Sequence, residues 1–194
     1  MERLDTQDSL RIIRTVIEQR RQAYEENGIF LLLWGALVVI AGLGQYVMIH
    51  MGRGEHSGWV WIFTMVPGFV VTFISKFVSG YKRGRAKKGT DLLGWLWAMA
   101  GGLALATGFF FGGRFGAAFT AMIYLPFCVV AMASALSLKN YLWVGLSLLA
   151  TVIAYGSVFM AWKYHSLISA AIALLLFLIP GVQLFIHHKK RTHV

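Results

Sequence analysis

Six apolar segments of about 20 residues account for most of this sequence. A helix of that length crosses the hydrocarbon core of a bilayer, so each segment is long enough to be one transmembrane helix. The connections are short, which makes neighbouring helices antiparallel. The sequence therefore predicts an all-α, polytopic membrane protein with a six-transmembrane-helix bundle. The predicted spans are residues 29–50, 59–80, 92–111, 115–138, 141–162 and 167–187.

Charged residues are too few for a soluble protein of this length. Only 13% of the 194 residues are charged, whereas a soluble domain carries about a quarter. The formal net charge is +10, but the basic residues lie at the ends of the apolar segments and no Asp or Glu follows Asp91. This distribution is typical of membrane topology. We therefore expect the lipid bilayer to cover most of the surface, and we expect no nucleic-acid partner.

Lys and Arg also predict the orientation, because loops rich in these residues stay in the cytoplasm. If the N-terminus is cytoplasmic, only Arg53, Arg114 and Lys163 of the 18 basic residues lie on the outer side. The opposite orientation would place most of the positive charge outside. The sequence therefore predicts that the N- and C-termini are both cytoplasmic.

Residues 1–28 precede the first span and are predicted to form a cytoplasmic amphipathic helix. Leu10, Ile13, Ile17 and Tyr24 recur at helical spacing and would form an apolar stripe. A helix that binds anionic lipid is usually clearly basic, but this segment carries five Arg against six acidic residues. We therefore expect the stripe to bind a cytoplasmic protein or a second copy of the chain. A transmembrane domain, 29–188, and a basic cytoplasmic tail, 189–194, follow.

Small residues line the third span on two sides. Ridges of small side chains let helix backbones approach closely. The two ridges lie about 200° apart around the helix axis, which predicts that this span is sandwiched between others at the centre of the bundle. One ridge contains Gly94, Ala98, Gly102 and Ala106, and the other contains Ala100, Ala104, Gly108 and Gly112.

The spans also show signs of an internal repeat. Each even span carries a proline near mid-depth, and each odd span carries a Leu-Trp pair near its cytoplasmic end. Three related helical hairpins would produce this pattern, but proline and tryptophan are also common in membrane helices in general. The residues are Pro67, Pro126 and Pro180 in the even spans, and Leu33-Trp34, Leu96-Trp97 and Leu142-Trp143 in the odd spans.

Residues that carry chemistry are scarce inside the spans. No Asp, Glu, Lys or Arg lies near the middle of any span, although such residues mark the sites of pumps and many transporters. The sequence contains no His-Glu-x-x-His motif and no phosphate-binding loop. The single cysteine, Cys128, excludes an internal disulfide. We therefore expect neither enzymatic activity nor a cofactor.

Two groups of ionisable residues are candidate sites. His50, His56 and His165 all fall on the predicted outer side, where they would bind a metal ion, respond to pH or simply lie among the headgroups. A basic cluster in the second loop, residues 80–89, would bind anionic phospholipid headgroups or merely keep the loop in the cytoplasm. The members of this cluster are Lys82, Arg83, Arg85, Lys87 and Lys88.

Glu26-Asn27-Gly28 followed by Leu33-Trp34-Gly35 resembles a group of uncharacterised bacterial six-helix membrane proteins. The resemblance rests mainly on residues 8–46, and it implies a multi-pass location in the bacterial inner membrane. The paired-helix organisation is also similar, more distantly, to the HdeD-type membrane repeat family, which is linked to acid resistance. Neither resemblance implies a site or an activity.

Two classes of function fit these observations. The first is a non-enzymatic regulatory or interaction protein that acts through its cytoplasmic N-terminal helix. The second is a small oligomeric channel or facilitator for uncharged or anionic solutes. The first class is favoured because the best-organised polar element is cytoplasmic, whereas the spans are almost without charge. A facilitator's path would be lined by hydroxyl and amide side chains, among them Gln45, Thr72, Ser75, Thr107, Ser147, Thr151 and Gln183.

Overall fold

The described chain is helical throughout. The structure is a computed structural model that describes residues 28–82, 92–111 and 114–192. Within these ranges the chain forms helices joined by short turns and contains no strand. Six helical segments are long and apolar enough to cross a membrane. The prediction of an all-helical chain with six such segments is therefore confirmed.

Five apolar segments each contain one α-helix, and the sixth is interrupted. The first five helices are α1 (Gly28–His50), α2 (Trp59–Lys82), α3 (Leu92–Phe111), α4 (Phe119–Ser137) and α5 (Tyr141–Gly156). The sixth segment comprises α6 (His165–Ala173), a π-helical turn (Leu174–Leu178) and α7 (Ile179–Thr192). Short 3-10 turns lie at Gly54–His56, Gly116–Ala118, Ser157–Phe159 and Trp162–Tyr164.

The helix bounds differ most from the predicted ones in the last two segments. α5 ends at Gly156 rather than at residue 162, because the backbone is extended at Met160 and Ala161. α7 continues to Thr192, so residues 189–192 of the predicted tail extend a helix. The predicted amphipathic helix lies outside the described residues, apart from Gly28, at which α1 begins.

The sixth segment lies at the centre of the bundle. It packs against α1 along most of its length and also against α5 and α4. In turn, α2 packs against α1, and α3 packs against α4. One end of the bundle, the loop end, carries the connections 51–58, 114–118 and 157–164. The other end, the terminal end, carries Gly28, Thr192 and the turn at Lys139.

Small side chains fill the interfaces around the sixth segment. Alanine allows helices to approach closely, which matters where apolar surroundings offer little hydrophobic driving force for helix association. Larger side chains, among them Val38, Cys128, Ile172 and Leu176, occupy the centre of the core. The buried alanines include Ala131 and Ala135 in α4, Ala150 and Ala154 in α5, and Ala170 and Ala173 in α6.

Glycines bring α1 into backbone contact with the sixth segment. A Cβ atom built on Gly42 would lie 2.5 Å from the carbonyl oxygen of Ser166. A Cβ atom on Gly35 would lie 2.8 Å from Cγ of Leu178. Both distances are far shorter than a van der Waals contact, so the close approach of these two segments depends on glycine.

The third span is not central, as its small residues predicted, but lies at the edge of the bundle. α3 is the least buried of the six segments, because only 6% of its most apolar stretch of 18 residues is buried. It is joined to the bundle through large side chains, including Leu93 and Trp97. The prediction is wrong because small residues permit close packing without requiring it. Among the described residues of the two ridges, Ala98, Gly102 and Gly108 are exposed, Gly94, Ala104 and Ala106 are partly exposed, and Ala100 is buried.

Replacing Gly42 and replacing Gly102 by alanine should have opposite effects on the free energy of unfolding. We expect Gly42→Ala to lower the free energy of unfolding by roughly 1–3 kcal/mol, because overpacking forces α1 away from the sixth segment. A Cβ on Gly102 meets no described atom within 4 Å, so Gly102→Ala should raise helix stability by up to about 1 kcal/mol. Unfolding in detergent measures both, and equal losses would contradict the packing described here.

A tryptophan near the terminal end of each odd span donates a hydrogen bond to the following even span. We call these three contacts the tryptophan clamps. Donor and acceptor are 38, 37 and 40 residues apart in the three hairpins, so the same contact recurs at nearly the same spacing. This recurrence favours the interpretation that the chain consists of three related helical hairpins. In the clamps, Nε1 of Trp34 donates to Oγ1 of Thr72 (3.1 Å), that of Trp97 to Oγ of Ser134 (3.2 Å), and that of Trp143 to Oε1 of Gln183.

Loss of a clamp should lower the free energy of unfolding by the contribution of one hydrogen bond. Phenylalanine keeps an aromatic ring but removes the N–H donor, so we expect Trp34→Phe and Trp97→Phe each to cost roughly 1 kcal/mol of unfolding free energy. Trp95, which is 70% exposed, provides the matched control. If Trp95→Phe cost as much as Trp97→Phe in the same unfolding assay, the clamp would have no special role.

Candidate functional site

Buried polar side chains form a cluster around His165 at the loop end. His165 is the first residue of α6 and is only 4% exposed. Its Nδ1 atom lies 2.8 Å from Oγ1 of Thr120 in α4, and its Nε2 atom lies 3.2 Å from the carbonyl oxygen of Met160. The ring of Trp162 packs beside the imidazole, with 5.1 Å between centroids. His165 therefore links α4, α6 and the connection that precedes α6.

The partners of His165 determine its tautomer. A carbonyl oxygen only accepts hydrogen bonds, so Nε2 must carry the proton that it donates to Met160. In the neutral ring, Nδ1 then accepts from the hydroxyl of Thr120. Both ring nitrogens are used, which makes the imidazole a bridge between chain segments. This arrangement favours a positioning role over ligand binding.

Two further hydroxyl groups lie beside this bridge. The hydroxyl of Ser169 donates to the carbonyl oxygen of His165 at 2.9 Å, and the side chain of Tyr124 interacts with Ser169. The hydroxyl of Ser166 is buried and has no hydrogen-bond partner among the described residues. The loop end of the interior is thus polar, but it is closely packed.

The three histidines that were predicted to lie on the outer side, His50, His56 and His165, are not arranged as a metal site. His50 is exposed and lies on the ring of Tyr46, with its Nδ1 atom 3.1 Å from the carbonyl oxygen of Tyr46. His56 is exposed on a 3-10 turn, whereas His165 is buried. Within the described ranges, no three His, Cys, Asp or Glu residues are arranged to hold a metal ion.

Sequence reasoning missed the burial of His165. It placed His165 outside the sixth span, because residue 165 precedes the predicted start of that span at residue 167. The buried partner, Thr120, is 45 residues away in the chain. No local pattern connects two positions so far apart, so only the packing of α4 against α6 reveals the pair.

Three hydroxyl groups of α4 and α5 bond to their own helices. Ser134, Ser147 and Thr151 each donate to the carbonyl oxygen four residues earlier, at 2.8, 2.9 and 2.8 Å. Such a bond satisfies the hydroxyl donor without a partner on another helix. Ser134 and Ser147 are also almost completely buried. These groups are therefore engaged in packing.

Other side chains that a solute path would use accept hydrogen bonds from tryptophan. Oε1 of Gln45 accepts from Nε1 of Trp61 at 2.7 Å, which joins α1 to α2 near the loop end. Thr72 and Gln183 accept the first and third clamps. These polar residues therefore join helices to one another.

A small crevice lies near the terminal end, between the second and third clamps. It has room for about one water molecule. The crevice lies beside the π-helical turn of the sixth segment, where the helix is interrupted. Five of the six segments contribute to its wall. The lining residues are Leu31, Trp97, Ala131, Trp143, Ser147, Leu176 and Pro180.

Two other groups of predicted site residues cannot be placed in this arrangement. Lys82 is the last residue of α2, and the other members of the basic cluster lie outside the described residues. Leu10, Ile13, Ile17 and Tyr24 also lie outside them. Lipid binding by the cluster and partner binding by the apolar stripe both stay predictions.

Comparisons with protein-family models, with curated proteins and with solved structures find no match for this chain. The resemblance to bacterial six-helix proteins and to the HdeD-type family therefore stays a prediction. The helices themselves indicate the class, a multi-pass helical membrane protein, because six of them are long and apolar enough to span a bilayer.

The contact between Thr120 and His165 should be measurable as a coupling energy. We expect Thr120→Val and His165→Phe each to lower the free energy of unfolding. Each single variant removes the same hydrogen bond, so the loss in the double variant should be smaller than the sum of the two single losses by about 0.5–1.5 kcal/mol. His50→Phe is the control, because His50 is exposed. Additive effects of Thr120→Val and His165→Phe would contradict the bridge.

Proposed function

We propose that this protein is a non-enzymatic regulatory or interaction protein of the bacterial inner membrane. In this proposal, six membrane-spanning helices form a closed scaffold with both termini in the cytoplasm. The scaffold orients residues 1–28, whose apolar stripe binds a cytoplasmic protein or a second copy of the chain. Residues 80–89 bind anionic phospholipid headgroups beside it.

One observation carries the proposal: five of the polar side chains that a solute path would use are engaged with other protein groups. Thr72, Gln45 and Gln183 accept indole N–H groups, and Ser147 and Thr151 donate to their own helix. A solute path needs such groups to face water. Their engagement favours a scaffold over a conducting protein.

Buried alanines supply a second line of support. Ala135, Ala150, Ala154 and Ala173 have no exposed surface, so the helices around the sixth segment are in close contact there. Close packing of small residues is typical of stable helix interfaces. A facilitator in which several copies form a path between them is the alternative function, because that path would not cross this interior.

Site-specific crosslinking of the full-length protein in its native membrane tests the proposal. A photo-reactive side chain at Ile13 or Ile17 should yield a defined adduct with a protein or with a second copy. The same group at Gln22, on the opposite side of the predicted helix, is the matched control. Equal adducts at all three positions, or none at Ile13 and Ile17, would remove the interaction proposal.

Orientation and transport provide the complementary measurements. In a Cys128→Ala background, a cysteine at Glu55 should react with a membrane-impermeant reagent in intact cells, and one at Thr192 should not.

Purified protein in liposomes should carry no ion current and take up no glycerol or small anions above protein-free controls. Reproducible flux above those controls would favour the facilitator instead.

A further inference from the structure

The contacts between the three hairpins are incomplete. An even segment packs against the odd helix of another hairpin at two positions: α4 against α5, and the sixth segment against α1. No comparable packing joins α2 to α3 within residues 28–82 and 92–111. The packed helices therefore form one series, in the order α2, α1, sixth segment, α5, α4 and α3, and the two helices at its ends are left unpaired with each other.

The exposed side of α2 carries large apolar side chains. Phe63, Val66, Val70 and Phe73 recur at intervals of three and four residues, so they form one stripe along the helix. Between 50% and 75% of each of these side chains is exposed. We call these four residues the α2 stripe.

The exposed side of α3 carries small side chains instead. Ala98, Gly102 and Ala106 follow one another at intervals of one helical turn, and the first two are fully exposed. A Cβ atom built on Gly102 would meet no described atom within 4 Å. Small residues at this spacing let another helix approach closely. We call these three residues the α3 ridge.

The contact between the sixth segment and α1 divides large and small residues in the same way. A Cβ atom built on Gly35 of α1 would lie 2.9 Å from Cβ of Phe177 and 2.8 Å from Cγ of Leu178. The odd helix thus supplies the small residue, and the even segment supplies the large ones. The α2 stripe belongs to an even helix and the α3 ridge to an odd one, so the two unpaired faces match each other as these two formed faces do.

The two faces also lie at the same depth in the bundle. Gly102 lies nine residues before the end of α3 at the loop end. Val66 and Val70 lie seven and eleven residues after the start of α2 at the same end. Because both helices rise by the same distance per residue, the centre of the α2 stripe is level with the centre of the α3 ridge.

We propose that the α2 stripe of one copy packs against the α3 ridge of a second copy, and that the reciprocal contact forms at the same time. Each copy carries one face of each kind, so a single twofold pairing covers all four faces. Copies inserted in the same direction are related by an axis along the membrane normal. This axis keeps α2 of one copy antiparallel to α3 of the other, as α4 is to α5. The interface is separate from residues 1–28 and does not depend on the proposed function.

Disulfide crosslinking between two differently tagged copies of the full-length protein tests this pairing in the native membrane. Both copies carry Cys128→Ala, one carries Val70→Cys, and the other carries Gly102→Cys. We expect a product with both tags, in higher yield than when both copies carry the same new cysteine. Gly145→Cys in place of Gly102→Cys is the matched control, because Gly145 of α5 is also exposed and a Cβ atom on it also meets no described atom within 4 Å.

Energy transfer between labelled copies in lipid vesicles provides a second measurement, which does not depend on disulfide geometry. Gly102→Leu places a large side chain on the α3 ridge, so it should raise the dissociation constant of the dimer about tenfold or more. Gly145→Leu should leave the dissociation constant unchanged. Both variants should unfold in detergent as the unmodified chain does, which separates loss of pairing from loss of folding.

Three results would overturn the proposal. Equal yields with Gly102→Cys and Gly145→Cys would indicate random collision between copies. A disulfide within single chains that carry both Val70→Cys and Gly102→Cys, without a product between copies, would show that α2 and α3 close on each other. A product with a different protein, or no product together with no energy transfer, would assign the two faces to another partner or to lipid.

Discussion

Hydrogen bonding of polar groups that have no access to water determines how this bundle is joined. An unpaired polar group in an apolar interior costs free energy of about 1–3 kcal/mol, so buried donors are paired within the protein, with the hydroxyl of Ser166 as an exception among the described residues. The indole N–H groups of Trp34, Trp97 and Trp143 do so across each helical hairpin. The hydroxyls of Ser134, Ser147 and Thr151 do so within their own helices.

The same requirement explains why the interrupted helix is the central one. Non-helical backbone is tolerated at membrane depth only where protein or a cavity surrounds it. The π-helical turn at Leu174–Leu178 packs against α1 and α5, and the crevice lies beside it. α2 and α4 also contain a proline each, Pro67 and Pro126, but each forms one continuous helix. The π-helical turn therefore lies where neighbouring helices surround it, and a proline alone does not produce it.

Sequence reasoning predicted the helices well because apolar length is a local property. Helix count and most bounds follow from runs of about 20 apolar residues. The position of α3 could not be predicted in this way, since Gly102 and Gly108 are compatible with both a buried and an exposed face. The contacts that decide the arrangement are long-range: Gly42 against Ser166, and Thr120 against His165. Neither pair leaves a pattern in the sequence that distinguishes it from a chance pairing.

A division of roles between the two ends of the bundle follows from these contacts. At the loop end, His165 and Thr120 tie α4 to α6, and Gly42 holds α1 against α6, so three segments are joined within one layer. At the terminal end, the helices are joined by the clamps, and the crevice lies between two of them. The clamps fix the helix ends from which residues 1–27, 83–91 and 193–194 continue. The proposed function requires rigid contacts at this end, because residues 1–28 would be oriented from it, and the clamp that recurs in all three hairpins supplies one such contact in each.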